Sequence, residues 1–189
     1  MGATCRPAGE HGISLDNEIN REVIPPWLDV TNAHVPQPFL VEVWVEKSSQ
    51  GDILVPLARR LGFNLQSGAG ETSEVLARDA ISRAIEDRRP MRILYISDFD
   101  PSGRSMPVAL ARKIEYWIAE LGLDLDITLD PIVLTPAQCE HYGLPRTPLK
   151  STDRRASKFE DRFGSGATEL DALEALHPGE LANTNSTSE

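Results

Sequence analysis

The sequence predicts an α/β fold built on a mostly parallel, four-stranded sheet flanked by helices. Two observations carry this expectation. Four short segments rich in β-branched and other apolar residues, at 39–46, 63–66, 91–97 and 125–134, alternate with stretches whose apolar residues recur at helical spacing. One of the four, MRILYIS at 91–97, is an almost unbroken apolar run, as a central parallel strand covered on both faces requires. At 189 residues the chain has room for one such domain with a real core.

Residues 1–37 hold Gly, Pro, Asn and His with little periodicity, apart from the apolar patch Val23, Ile24, Trp27 and Leu28. They read as a tail or packing arm that joins the fold late. The first strand, FLVEVWVE, alternates apolar and polar residues and ends at Glu46. Ile53, Leu54, Leu57, Ala58 and Leu61 then follow at helical spacing and stop at Gly62, a residue suited to the position just past a helix end. The short strand 63–66 and a flexible turn at 67–70 lead to a helix capped by Thr72 or Ser73, with Val75, Leu76, Ala80, Ile81 and Ala84 on its buried face. After 91–97 comes DFDPSG, a long helix over 105–121, and a last strand in which Asp126, Thr128 and Asp130 alternate with apolar residues. Polar helical segments at 135–142, 152–163 and 168–176 form a C-terminal helical extension, and 179–189 a flexible tail. The domain is expected to span 38–178.

A formal net charge of −10 argues against a non-specific nucleic-acid coat, which gains affinity by neutralising phosphates with Lys and Arg. Any polyanion must be met locally, by a bound divalent metal or by the basic stretch Arg146, Lys150, Arg154, Arg155, Lys158 and Arg162. Interleaved Asp153, Glu160 and Asp161 make a solvated, salt-bridged helix an equal reading of that stretch. Cys5 and Cys139, the only cysteines, exclude a cysteine zinc finger and fit a reducing compartment. No secretory apolar run opens the chain and no segment has the length of a membrane span, so the expected location is cytoplasmic, without a membrane partner.

The strongest local feature is ILYISDFDPSG, in which a buried strand runs straight into Asp98 and Asp100. Two apart at a strand end, they share a direction while Phe99 points to the core. Clustered carboxylates repel unless a cation neutralises them, and oxygen ligands suit Mg²⁺. Ser102 and Gly103, in the turn that opens the next helix, are candidates for phosphate contact through helix N-terminal amides. Glu46 ends the other well-defined strand; in a parallel sheet it emerges at the same edge as Asp98 and Asp100. Lys47 and Lys150 are further phosphate-contact candidates, although a strand-end lysine is more commonly solvated.

With Glu46 ending one hydrophobic strand and DFD a later one, the sequence resembles the Toprim family, shared by topoisomerases, primases and several nucleases. The likeness is closest to the Toprim part of the topoisomerase VI A subunit and its meiotic double-strand-break relatives. There DFDPSG looks like the Asp-Gly-Asp-Pro-x-Gly segment, with Phe99 in place of Gly. LTPAQCEHYGLP at 134–145 and TELDALEAL at 168–176 are further matches, and the likeness covers 39–176. It implies Mg²⁺, with Mn²⁺ as a substitute, held by Glu46, Asp98 and Asp100, and nucleic-acid phosphodiester chemistry of nuclease or DNA-processing type, with Glu46 as ligand or general acid or base. It brings Glu169 near the metal, with Arg154 a weaker candidate in the basic stretch. Asp171, two residues from Glu169 on the expected helix, would point elsewhere.

The departures are specific. Tyr95, Tyr116 and Tyr142 sit in a strand, in a helix and beside a turn, so packing suits them better than nucleophilic attack. Strand passage would need a larger subunit supplying a tyrosine or a DNA-binding domain. A non-catalytic Toprim-like module binding nucleic acid or protein within a larger complex is the alternative. A haloacid-dehalogenase-type phosphatase also opens on DxD after a strand, but no second acidic metal motif follows Leu134 and Glu46 would be idle.

Overall fold

The computed structural model describes residues 37–68, 73–149 and 152–183. Four strands, β1 (Leu40–Val45), β2 (Asn64–Ser67), β3 (Met91–Ile96) and β4 (Ile127–Val133), form one sheet in the order β2-β1-β3-β4. Every neighbouring pair is parallel, with Val45 opposite Ile96 at the carboxyl end of the two central strands. The expected mostly parallel sheet is thus entirely parallel. Its connections are α1 (Gly51–Leu61), α2 (Ser73–Asp87) and α3 (Pro101–Glu120); the short helices α4 (Pro136–His141), α5 (Ala156–Phe163), α6 (Asp171–Leu176) and α7 (Glu180–Asn183) follow β4.

The sheet separates two cores. On one face Leu40, Trp44, Met91, Ile93 and Tyr95 pack against Ala77, Ala80, Ile81 and Ala84 of α2 and Leu110 and Ile114 of α3. On the other, Val43, Val45, Leu65 and Ile96 meet Leu54, Leu57 and Ala58 of α1 and residues of the C-terminal helices, among them Phe159, Leu173 and Leu181. α2 and α3 cover the face of β1 that carries Glu42, and Glu42 is completely buried. Its carboxylate accepts from Trp44 Nε1 (2.7 Å), Arg83 Nε (2.7 Å) and Arg83 Nη2 (2.9 Å), with Asn64 Nδ2 at 3.3 Å.

Helix signals were legible with local exceptions. Gly62 ends α1 at φ 74°, the left-handed position expected of it. On α2, Val75 is exposed rather than buried and Ala77 takes its place, since 77, 80, 81 and 84 form the i, i+3, i+4, i+7 stripe. The cap candidate Thr72 and the side chain of Ser73 lie outside the described residues. α3 begins at Pro101, four residues before the expected 105, because Asp100 caps it and Pro101 occupies the first turn. Residues 167 and 168, expected to approach or start a helix, are extended and bridge Thr147 and Phe99. Residues 180–183, expected in the flexible tail, form α7 and bury Leu181. Among the described residues no helix is long and apolar enough to cross a membrane.

Candidate functional site

Parallel pairing of β1 and β3 brings the residues just past both strands to one edge. The backbone is tied there by Glu46 N donating to Ile96 O (3.1 Å). Glu46 follows β1, and Asp98 and Asp100 follow β3, as the sequence predicted; Phe99 between them is fully buried against Phe159 and Phe163. The extended segment at 168 crosses this edge, with Phe99 N donating to Thr168 O (2.9 Å) and Thr168 N to Phe99 O (3.0 Å).

Backbone amides hold one oxygen of each aspartate. Leu170 N donates to Asp98 Oδ1 (2.7 Å), and Gly103 N donates to Asp100 Oδ1 (2.6 Å) as the cap of α3. These bonds orient the remaining carboxylate oxygens without neutralising them. Asp98 is 6% exposed, and its Oδ2 pairs with Lys47 Nζ at 2.7 Å. Lys47 also pairs with Glu169, so its ammonium is engaged with carboxylates rather than free for a phosphate. Glu46 differs from both aspartates: its Oε2 is buried with no hydrogen-bond partner.

The electrostatics follow from this arrangement. Burial is the main reason the Glu46 carboxyl is pushed up from 4.5 to about 7, with Asp100 and Asp98 adding to the rise and Lys47 opposing it. Burial also raises Asp98, against the hydrogen bonds from Lys47 and the Leu170 amide. For Lys47, burial acts downward, but hydrogen bonding to Asp98 and Glu169 prevails and its net shift is upward. The three carboxylates therefore share one electrostatic environment. Among the described residues, however, no three His, Cys, Asp or Glu side chains are drawn together closely enough to hold a metal ion.

A pH-dependent outcome is expected from Glu46 alone. A carboxyl raised in the folded state binds its proton more tightly there, so its stabilising contribution is complete below about pH 4.5 and lost as pH rises through about 7. Wild type should lose stability relative to Glu46→Gln across that window and run parallel to it on either side. Denaturant midpoints measured from pH 4 to 8.5 check this; a flat difference between the two proteins would refute it.

The remaining candidates are distributed unevenly. Ser102 lies in the first turn of α3, where its Oγ accepts from Arg155 Nη2 (2.7 Å), while Ser105 Oγ accepts from Arg155 Nη1 (2.9 Å). Gly103 is not a turn glycine. A Cβ there would overlap the carbonyl oxygen of Asp98 and stand 2.8 Å from Ser97 Oγ, so its value is close approach of α3 to the strand end. Its amide is spent on Asp100. Lys150 lies outside the described residues, and Arg154 is exposed on the turn before α5.

Two residues do more here than sequence suggested. Arg155, noted only as one of a basic run, joins α3 to the turn before α5. Asp171, expected to point away, accepts from Ser49 Oγ (3.2 Å) and from Gln50 Nε2. With 167 and 168 extended and α6 starting at Asp171, the helical divergence expected of Glu169 and Asp171 does not apply, and both face the loop after β1. Within the basic stretch Arg146 is structural, donating to Gly166 O (2.8 Å) and Phe163 O (3.0 Å) over the Phe99 ring. No protein-family model matches this chain, and no curated protein matches it.

Proposed function

We propose that this chain is a Toprim-like domain with a C-terminal helical extension, performing Mg²⁺-dependent phosphodiester chemistry on nucleic acid, DNA in the first instance. The observation that carries the reading is Glu46 Oε2, a buried carboxylate oxygen without a hydrogen-bond partner. Burying such a group is unfavourable unless something compensates it, and an oxygen-seeking cation is a suitable partner beside two further carboxylates. Glu46, Asp98 and Asp100 stand at one sheet edge but not at ligand spacing, so they would hold Mg²⁺ or Mn²⁺ only if the ion drew them together and displaced Lys47 from Asp98. When bound, the ion polarises the scissile phosphate and stabilises the leaving oxygen. Ser102 and Arg155 bond each other at the start of α3, and Arg155 also pairs with Asp153, so a phosphate there would have to displace those bonds. Strand passage would still need a larger subunit supplying a tyrosine.

A second reading is favoured by Lys47, whose ammonium lies on Asp98 and Glu169 and already counters their charge. On that reading the module is non-catalytic and binds a nucleic acid or protein partner.

Calorimetric Mg²⁺ titration and cleavage of plasmid and short DNA and RNA, with Mg²⁺ and with Mn²⁺, separate the two in wild type, Asp98→Ala and Lys47→Ala. Catalysis predicts cleavage that falls at least ~100-fold in Asp98→Ala, the scale of losing one charge-stabilising group. It also predicts tighter Mg²⁺ binding in Lys47→Ala, where Asp98 is released. Equal cleavage by Asp98→Ala removes the catalytic reading. Absence of Mg²⁺ binding in both wild type and Lys47→Ala leaves the binding module.

A further inference from the structure

The sheet face that carries α1 is covered unevenly. Towards the carboxyl edge Val45, Ile96 and Val133 are buried. Towards the amino edge cover thins: Phe39 is 39% exposed with the Arg92 guanidinium over its ring, Val41 and Leu94 pack on the core but are only half-buried, and Thr128 and Asp130 are exposed. Register makes these neighbours, with Val41 opposite Arg92 and Thr128 beyond, and Leu94 between Val43 and Asp130. Parallel sheets are ordinarily covered on both faces, so the described helices leave this corner unfinished.

The chain enters at that corner. Gln37 Nε2 donates to Leu61 O (3.0 Å) and Gly62 O (2.7 Å) at the end of α1, and Gln37 O accepts from Arg89 Nη1 (2.9 Å). Leu61 beside it is 48% exposed. The preceding residues include the apolar group Val23, Ile24, Trp27 and Leu28. Leu28 is nine positions before Gln37, a reach of up to ~30 Å. From β1 across β3 to β4 is only about 10 Å.

We propose that the segment carrying Val23, Ile24, Trp27 and Leu28 folds back over the open corner of its own sheet, seating Trp27 against Phe39, Val41 and Leu94. A tethered segment meets this surface at high effective concentration. A second copy would instead set the exposed Asp130 and the −10 net charge of one chain against those of the other.

The test uses the full chain. Emission from Trp27, obtained as the difference between wild type and Trp27→Phe, should be blue-shifted from that of tryptophan in water and quenched severalfold less by acrylamide. Both properties should be lost in Phe39→Ser/Thr128→Lys, which alters exposed positions. They should also be lost in Val23→Ser/Ile24→Ser, which leaves the sheet untouched. Water-like emission in wild type overturns the proposal, as does shielding that survives both double variants. Shielding that disappears on dilution, together with a dimer in sedimentation, also overturns it and assigns the corner to a second copy.

Discussion

Arg83→Met is expected to destabilise the fold by about 3–5 kcal/mol, the cost of leaving one member of a buried ion pair alone. Glu42 has no exposure and takes two of its hydrogen bonds from the Arg83 guanidinium. Trp44 and Asn64 cannot replace that charge. At roughly 2–4 °C per kcal/mol for a chain of this size, the melting midpoint should fall by about 6–20 °C. Arg83→Met with Glu42→Gln should recover much of the loss, since the amide removes the orphaned charge while its oxygen can still accept from Trp44 Nε1. Chemical denaturation of the three proteins measures both steps. A single variant within about 0.5 kcal/mol of wild type, the range of an ordinary surface change, would mean that Glu42 does not depend on Arg83.

Gly103→Ala sets two effects against each other. Within a helix, alanine is favoured over glycine by about 0.5–1 kcal/mol, so propensity predicts stabilisation. The added methyl would overlap Asp98 O and crowd Ser97 Oγ, and the overlapping atom is backbone, which cannot rotate away. Overpacking of this kind costs typically ~1–3 kcal/mol, so the net change should be a loss. The strain falls on Asp98 itself, so cleavage activity, where present, should fall with it. Thermal unfolding decides the sign; an Ala variant as stable as wild type or more so would show that α3 can withdraw without cost.

The legible parts of the fold were those written in local pattern. MRILYIS announces a central strand because all but Arg92 and its closing Ser are apolar, and Gly62 marks the end of α1 because only a residue without Cβ adopts its φ freely. The early start of α3 was also within reach, since an Asp followed by Pro is a cap and first-turn pattern. The burial of Glu42 was not. Its partner Arg83 lies 41 positions away, and nothing in FLVEVWVE distinguishes a glutamate facing water from one facing a guanidinium. Likewise TELDALEAL reads as helical throughout, yet Thr168 pairs with Phe99, whose backbone offers both a donor and an acceptor across the chain.

The sequence by itself determined the order of the four strands and the three helices that connect them, and it put Glu46, Asp98 and Asp100 just past two strands that a parallel sheet must bring to one edge. Those are consequences of periodicity and handedness, which each segment carries within itself. Only the tertiary structure decided that Lys47 reaches Asp98, that Glu169 and Asp171 both face the loop after β1, and that Glu46 Oε2 is left buried without a partner. Each of those depends on which distant side chain arrives beside a given carboxylate, and burial then sets how strongly the charges act on one another.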